Sequence, residues 1–230
     1  MVENKEVNKM LTTARLISYS QPPEGELYVG KDVQELISYC ARVSNPANQE
    51  AHKTSEKLIK YLVKNKHWSP LEMASACIEV ETTRDIAHQI VRHRSFAFQE
   101  FSQRYANPEE MGEQFVTREC RLQDTKNRQN SIDTDNDYLK ERWEDEQLKV
   151  IMQAEKAYNW AIDNGIAKEQ ARVVLPEGNT KTRLYMNGTI RSWVHYIELR
   201  GANGTQKEHM EIAHACAKVI AEIFPLAKEL

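Results

Sequence analysis

Residues 74–82 (ASACIEVET) alternate apolar and polar side chains. This period of two predicts a β-strand with one buried face. The pattern changes at Thr83, after which TRDIAHQIVRHR has the spacing of an amphipathic helix that Ile86 and Ile90 anchor in the core. A strand that passes into a helix without an intervening loop restricts the chain to folds that contain both kinds of element.

Other segments carry the same two patterns. Strands are predicted for TTARLISYS (12–20) and for TRLYMN (182–187). Helices are predicted from Asp32, from Thr54 or Ser55, over 137–164, within AKEQARVVLP, from Thr189 over TIRSWVHYIELR, and over 206–224. The segment 118–136 (RECRLQDTKNRQNSIDTDN) is polar and turn-rich, and it is predicted as a mobile loop within a single domain over 1–230.

The bulk composition excludes several classes of protein. A net charge of −3 argues against a dedicated nucleic-acid binder, so any cationic cluster is local. No apolar run approaches the roughly 20 residues of a membrane span, and MVENKEVNKM is too polar for a secretory signal peptide. The four cysteines are widely spaced and form no C-x-x-C pair, which predicts reduced thiols and a cytoplasmic location.

The central stretch RHRSFAFQEFSQRY (92–105) concentrates three arginines, a histidine, a glutamate and two serines. A helix that continues through residue 93 would place Gln89 and His93 on one face. Guanidinium groups beside a serine hydroxyl can cradle a phosphate or carboxylate, because arginine binds such groups through two parallel hydrogen bonds. Solvated ion pairs with the glutamate are an equal alternative on composition alone. Ser102 is a weak candidate nucleophile, because it has no G-x-S-x-G elbow and no local base.

Four segments in order resemble the flavin-dependent thymidylate synthases. The pattern R-H-R, seven residues, then S is that family's motif, and here it runs from Arg92 to Ser102. HWSPLEM (67–73) resembles its upstream segment, ARVVLP (171–176) a later one, and RSWVHYIELR (191–200) its C-terminal one.

The resemblance implies a fold and a reaction. The implied fold is α/β (α+β), with a central twisted, antiparallel-rich sheet flanked by helices. The implied reaction is the reductive methylation of dUMP to dTMP, with methylenetetrahydrofolate as carbon donor, FAD as hydride carrier and NADPH as reductant. A homotetramer that shares its sites between subunits is also implied, with no nucleic-acid, membrane or metal partner.

Carried over residue by residue, the resemblance assigns two binding sets. It implies dUMP contacts for Gln89, Ile90, Val91, Arg92, Glu100, Phe101, Ser102, Gln103, Arg104, Arg172 and Arg200. It implies FAD contacts for His67, Ser69, Arg92, His93, Arg94, Glu100, Thr189, Ile190, Arg191 and His195. Arg200 is the implied catalytic residue, since a guanidinium at the uracil can stabilise negative charge that develops over its N3/O2 edge.

Three other functions compete with this interpretation. A nucleic-acid-binding module would use the arginines and interleaved aromatic residues as a strand-binding surface. A flavin oxidoreductase without methyl transfer would not need Arg172 or Arg200. A metal hydrolase would use His52, His67 and His88, although their spacing matches no metal-binding motif.

Overall fold

The structure, a computed structural model, describes residues 13–26 and 28–226. Its main sheet has four strands, β1 (Thr13–Tyr19), β2 (Ser75–Thr83), β3 (Phe96–Glu100) and β6 (Lys181–Thr189). Their order in the sheet is β1-β2-β6-β3, and all neighbours are antiparallel. Two short strands, β4 (Arg121–Gln123) and β5 (Ser131–Asp133), form a separate hairpin. Thr12, with which the first strand was predicted to begin, lies outside the described residues, as does the segment MVENKEVNKM.

Seven α-helices occur in the described part of the chain. They are α1 (Val33–Ala41), α2 (Ser55–Lys64), α3 (Arg84–Ile90), α4 (Asp137–Asp163), α5 (Lys168–Ala171), α6 (Ile190–Arg200) and α7 (Lys207–Ile223). A 3-10 helix, Ser69–Met73, precedes β2. The mixture of helices and antiparallel sheet confirms the general α/β class. Among residues 13–26 and 28–226, no helix is both long and apolar enough to cross a bilayer.

The alternation in β2 arises because the sheet has two different faces. Ile78 and Val80 are fully buried and belong to the main hydrophobic core, which lies between the sheet and helices α1, α3, α6 and α7. The opposite face carries ion pairs across neighbouring strands, from Arg15 to Glu79 at 3.0 Å and from Arg183 to Glu81. A strand with one apolar and one charged face must therefore alternate.

The prediction of a helix through residue 93 is wrong, because α3 ends at Ile90. Residues 91–93 continue as turns, in which the N–H of His93 donates to the carbonyl of Ile90. The chain then forms β3, where Phe96 pairs with Gly188 of β6. The hydrogen bonds gained by pairing with β6 override the local helical pattern. Gln89 and His93 are thus not on one helical face.

The segment 118–136, which was predicted as a mobile loop, contains the β4–β5 hairpin, and its mobility stays a prediction. Asp124 organises the connection by accepting hydrogen bonds from the N–H groups of Lys126 and Asn127. The Gln123 side chain donates to several carbonyls across the same turn. These short-range hydrogen bonds give polar residues a defined turn without a hydrophobic core.

Gly188 leaves room for the ring of Phe96, which packs edge-on against Trp193 with 4.8 Å between ring centroids. A Cβ at position 188 would lie 2.4 Å from Cδ1 of Phe96. Since Trp193 blocks the retreat of the ring, we expect Gly188→Ala to lower the free energy of unfolding by about 1–3 kcal/mol. Urea unfolding measures this change. Gly178→Ala is the control, because a Cβ there meets no atom within 4 Å. Equal stability of the two variants would contradict the proposed clash.

Candidate functional site

The predicted site residues lie at two opposite ends of the main sheet. At one end, which we call the turn end, the first residue of β2, Ser75, pairs with the last residue of β6, Thr189. The turn Arg92–Ser95 lies beside this pair, because the next residue, Phe96, pairs with Gly188. At the other, called the loop end, residues 101–104 leave β3 after Glu100. Strands rise about 3.4 Å per residue, so the two ends of β3 are on the order of 14 Å apart. One copy of the chain therefore presents two separate groups of predicted site residues.

At the turn end, the histidine of the arginine-rich motif meets the last arginine of α6. Nε of Arg200 donates a hydrogen bond to Nε2 of His93 at 2.9 Å, across 107 residues of sequence. An acceptor at Nε2 requires the proton of a neutral imidazole to be on Nδ1. Burial, followed by the charge of Arg200, lowers the pKa of His93 to about 4. His93 is therefore neutral at physiological pH and fixes the orientation of the guanidinium.

Two buried residues that the sequence did not single out support this pair. The ring of His93 packs edge-on against Tyr196, with 5.0 Å between centroids, and against His209 at 6.2 Å. Tyr196 and His209 are fully buried, and the Tyr196 hydroxyl lies 3.1 Å from Nε2 of His209. Tyr196 falls inside the segment RSWVHYIELR, whereas His209 lies outside every motif. The sequence could have indicated His209 by its position on the apolar face of the last helix, which it shares with Ile212 and Cys216.

A cleft of about 510 Å³ adjoins the same end of the sheet. It is lined by Trp68, Glu72, Ser95, Arg191, Ser192, His195 and Glu198. Thr189 caps α6 by accepting a hydrogen bond from the Ser192 N–H at 3.2 Å, and the Ser192 hydroxyl donates to the carbonyl of Ser95 at 3.3 Å. Arg191 forms an ion pair with Glu72. The predicted FAD residues Arg191 and His195 thus line one cleft, and Ser69 and Arg94 adjoin lining residues in sequence.

Other predicted FAD residues are placed differently. His67 is exposed, with its ring edge-on to Tyr61 at 6.0 Å. Glu100 lies at the loop end, away from the cleft, where it accepts hydrogen bonds from Arg84 at 3.0 Å and from Thr182 at 2.9 Å. Within one copy, Glu100 therefore acts as an ion-pair partner and is not brought together with the other FAD residues.

The loop end collects the second half of the predicted dUMP residues. Ser102 begins a turn in which its side-chain oxygen accepts from the N–H of Arg104 at 3.4 Å. Arg104 also lies 3.6 Å from Glu169, three residues before Arg172, so the loop contacts α5. Gln103 is buried, and its Nε2 has no hydrogen-bond partner among the described residues.

The side chains of Ile90 and Ile190 are fully buried in the main core. Either residue could therefore reach a ligand only through its backbone. Val91, Arg92 and Arg94 are exposed, and Phe101 and Gln89 are half-buried.

Three arginines of the predicted site differ from the arginines that stabilise the fold, whereas Arg104 and Arg191 are paired with Glu169 and Glu72. The arginines that stabilise the fold form ion pairs with carboxylates, as Arg15, Arg84, Arg118, Arg121 and Arg183 do. In the described part of the chain, the guanidinium groups of Arg92, Arg94 and Arg172 form no hydrogen bond or ion pair. Unpaired guanidinium groups can bind an anionic ligand without first breaking an internal ion pair.

The described residues contain no cluster of three His, Cys, Asp or Glu side chains that could hold a metal ion. The three histidines of the hydrolase alternative contact different partners: His52 the Tyr28 carbonyl, His67 the Tyr61 ring and His88 the Glu177 carboxylate. All four cysteines are free thiols, and burial raises the pKa of Cys216 to about 12.

Sequence comparison assigns this arrangement to a known class. The model of the family described as thymidylate synthase complementing protein matches residues 26–226. A probable flavin-dependent thymidylate synthase of Paramecium bursaria Chlorella virus 1 is 49% identical over 220 residues, which cover 95% of this chain and 98% of the relative. The flavin-dependent thymidylate synthase of Synechocystis sp. is 47% identical over 190 residues, or 83% of this chain and 85% of the relative.

The chain therefore belongs to the flavin-dependent thymidylate synthase family. Its fold also resembles that of the UMP/dUMP methylase PolB from Streptomyces cacaoi, solved with 5-Br dUMP. That likeness has a TM-score of 0.79 at 24% identity and covers 96% of this chain and 94% of the other.

The buried imidazoles generate a prediction about acid stability. Burial, followed by the charge of Arg200, lowers the pKa of His209 to about 3, well below the ordinary value of 6.5. Between these values the unfolded chain binds a proton that the folded chain does not, so stability falls as pH decreases from about 6.5. We expect His209→Asn to flatten the dependence of the melting temperature on pH between 6.5 and 5.

The control for this measurement is His214→Asn, which removes an exposed imidazole from the same helix. If both substitutions reduced the dependence of the melting temperature on pH equally, the assignment of this dependence to His209 would be contradicted.

Proposed function

We propose that this chain catalyses the reductive methylation of dUMP to dTMP in dTMP biosynthesis. Methylenetetrahydrofolate supplies the carbon, and FAD with NADPH supplies the hydride. The observation that carries the proposal is the contact of 2.9 Å between Arg200 and His93, which joins two family motifs at one point. The family relatives, two of which are 49% and 47% identical, support the same reaction.

Arg200 is proposed as the catalytic residue. Its Nε is engaged by the neutral His93, which leaves its remaining N–H donors for a ligand. A guanidinium that is held in place before the reaction stabilises developing negative charge without reorganisation. At the N3/O2 edge of a uracil ring, such stabilisation makes the ring a better nucleophile. This role needs no covalent thiol, and no cysteine of the chain is among the proposed site residues.

The nucleotide phosphate is assigned to the loop end. Arg104 has one loose ion pair at 3.6 Å and Arg172 has no side-chain partner in the described residues, so both can bind an anion. The Ser102 hydroxyl and nearby backbone N–H groups add neutral donors. Glu100, held by Arg84 and Thr182, fixes the start of the loop.

FAD is assigned to the turn end. The cleft of about 510 Å³ offers the His195 ring, serine hydroxyls and the guanidinium of Arg191, which is paired with Glu72, and Arg94 directly precedes the lining residue Ser95 in sequence. Cations and hydroxyl donors are the groups that bind a dinucleotide's phosphates. When bound, the flavin supplies hydride chemistry, and the protein supplies position and charge.

The proposed dUMP residues are divided between ends of the sheet that are on the order of 14 Å apart within one copy. A second copy that brings its loop end to the first copy's turn end would complete a site. We therefore propose that the single-domain chain assembles, as a homotetramer, with sites shared between copies. The free cysteines agree with a reducing compartment, and we propose a cytoplasmic location.

The first test is an absorbance spectrum of the purified protein with FAD. We expect anaerobic NADPH to bleach the flavin bands, and we expect addition of dUMP and methylenetetrahydrofolate to restore them while dTMP forms. Reoxidation only by oxygen, without dTMP, would favour a flavin oxidoreductase. Failure to bind FAD, together with salt-sensitive binding of DNA, would favour a nucleic-acid-binding module.

Arg200→Ala tests the proposed catalytic residue. We expect it to lower kcat for dTMP formation by about 10²-fold or more, because the preorganised charge is lost, while bound FAD per chain stays at the wild-type level. Arg142→Ala is the matched control, since Arg142 is exposed on α4 and pairs with Glu146 one turn away. Wild-type turnover in Arg200→Ala would exclude the proposed role.

A further inference from the structure

A line of hydrogen-bonded side chains runs from the β4–β5 hairpin to the turn end of the site. We call Glu208, Gln206, Gln89, His209 and Tyr196, in this order, the relay. The distances between successive polar atoms are 2.9 Å, 2.8 Å, 3.3 Å and 3.1 Å. Only Gln89 belongs to the set of residues expected to contact dUMP, so the other four have no role assigned by the motifs.

The relay is anchored at Glu208, whose side chain is 7% exposed. Its Oε1 accepts from Arg121 at 2.5 Å and its Oε2 accepts from Gln206. Burial works to raise the pKa of Glu208, but a backbone hydrogen bond and the charges of Arg118 and Arg121 outweigh it, so the pKa is lowered. Glu208 is therefore a carboxylate, which can only accept hydrogen bonds.

An acceptor that cannot donate fixes the direction of every following bond. Gln206 must donate its amide N–H to Glu208, which leaves its carbonyl oxygen to accept from the amide of Gln89. The carbonyl oxygen of Gln89 then accepts from Nδ1–H of His209. Nε2 of the neutral His209 is left as an acceptor, and the Tyr196 hydroxyl donates to it.

The opposite direction is excluded by the same reasoning. If His209 carried its proton on Nε2, its Nδ1 lone pair would face the carbonyl oxygen of Gln89, and two acceptors would lie 3.3 Å apart. Double protonation of His209 is disfavoured by burial and by the charge of Arg200, which keep its pKa near 3. One carboxylate thus determines two amide orientations, one imidazole tautomer and one hydroxyl direction.

We propose that Glu208, Gln206, His209 and Tyr196 are positioning residues that hold the amide of Gln89 in one orientation for dUMP. The inference rests on the proposed function, in which Gln89 contacts dUMP. Gln89 is half-buried, and after its two internal hydrogen bonds it keeps one N–H and one oxygen lone pair for a ligand. A flipped amide would exchange this donor and this acceptor, and the ligand atoms opposite them would lose their partners.

The relay also supports the catalytic pair. The rings of Tyr196 and His209 are the surfaces against which His93 packs, and His93 accepts the hydrogen bond from Arg200. If position 208 no longer fixed the direction of the hydrogen bonds, we expect dUMP binding to change mainly through the orientation of the Gln89 amide. The packing of the Tyr196 and His209 rings against His93 does not depend on where the protons lie.

The principal test is Glu208→Gln, which preserves shape and allows position 208 to donate as well as accept. We expect the KM for dUMP to rise about tenfold, which corresponds to about 1.4 kcal/mol, with kcat within about twofold of wild type and bound FAD unchanged. Glu222→Gln, an exposed change on the same helix, is the matched control and should keep the wild-type KM.

A second readout needs neither substrate nor cofactor turnover. In histidine-labelled protein, ¹⁵N chemical shifts report which ring nitrogen carries the proton, and His209→Asn identifies the signals of His209. We expect the Nδ1–H tautomer in wild type and a mixture of tautomers in Glu208→Gln. A merely structural role for Glu208 would not change the tautomer of a residue two hydrogen-bonded amides away.

Tyr196→Phe covers the case in which Glu208→Gln does not fold, because it keeps the ring and removes only the hydroxyl donor. We expect the KM for dUMP to rise about threefold, with bound FAD unchanged. An Nε2–H tautomer in wild type would overturn the inference, as would an unchanged KM in every folded variant. A wild-type protein that forms the Nδ1–H tautomer but never converts dUMP would overturn the proposed function and not the direction of the relay.

Discussion

The antiparallel pairing of β2 with β6 determines where every part of the site lies. Its register runs from Ser75 opposite Thr189 to Thr83 opposite Lys181. Each strand passes directly into a helix, and because the strands are antiparallel the two helices begin at opposite ends of the sheet. Helix α3 then returns along the sheet, so the turn that follows it meets the N-terminus of α6. The turn also packs along α6, where the ring of His93 contacts Tyr196 and its Nε2 accepts a hydrogen bond from Arg200, four residues further on.

The site uses charge in two different ways. The arginines that stabilise the sheet and the loops are ion-paired, as Arg15 is with Glu79, whereas Arg92, Arg94 and Arg172 have no such partner within the described residues. The half-buried ring of His93 packs against the buried Tyr196 and His209, and both imidazoles are neutral. Imidazoles kept neutral by burial orient a neighbouring cation without neutralising it, which leaves the charge of Arg200 available to a ligand.

Strong local patterns were predictable, and elements that depend on distant pairing were not. The strand over 74–82, the long helix from Asp137 and the capping of α6 by Thr189 are confirmed within one or two residues. The end of α3 and the existence of β3 were missed, because Phe96–Glu100 becomes a strand only by pairing with β6, nearly ninety positions later. The hairpin over 121–133 was missed because polar side-chain hydrogen bonds, rather than an apolar stripe, define its turn.

The sequence by itself determined the family, the kinds of element and the chemistry of the candidate residues, because motif spacing and hydrophobic period are local properties. It identified Arg92, His93, Arg94 and Arg200 without indicating which of them touch. Only the tertiary structure decided that Arg200 meets His93, that the residues expected to bind dUMP lie at two ends of one sheet, and that His209 completes a relay to Gln89. These contacts join positions more than a hundred residues apart, and the burial that keeps the imidazoles neutral exists only once the helices have packed on the sheet.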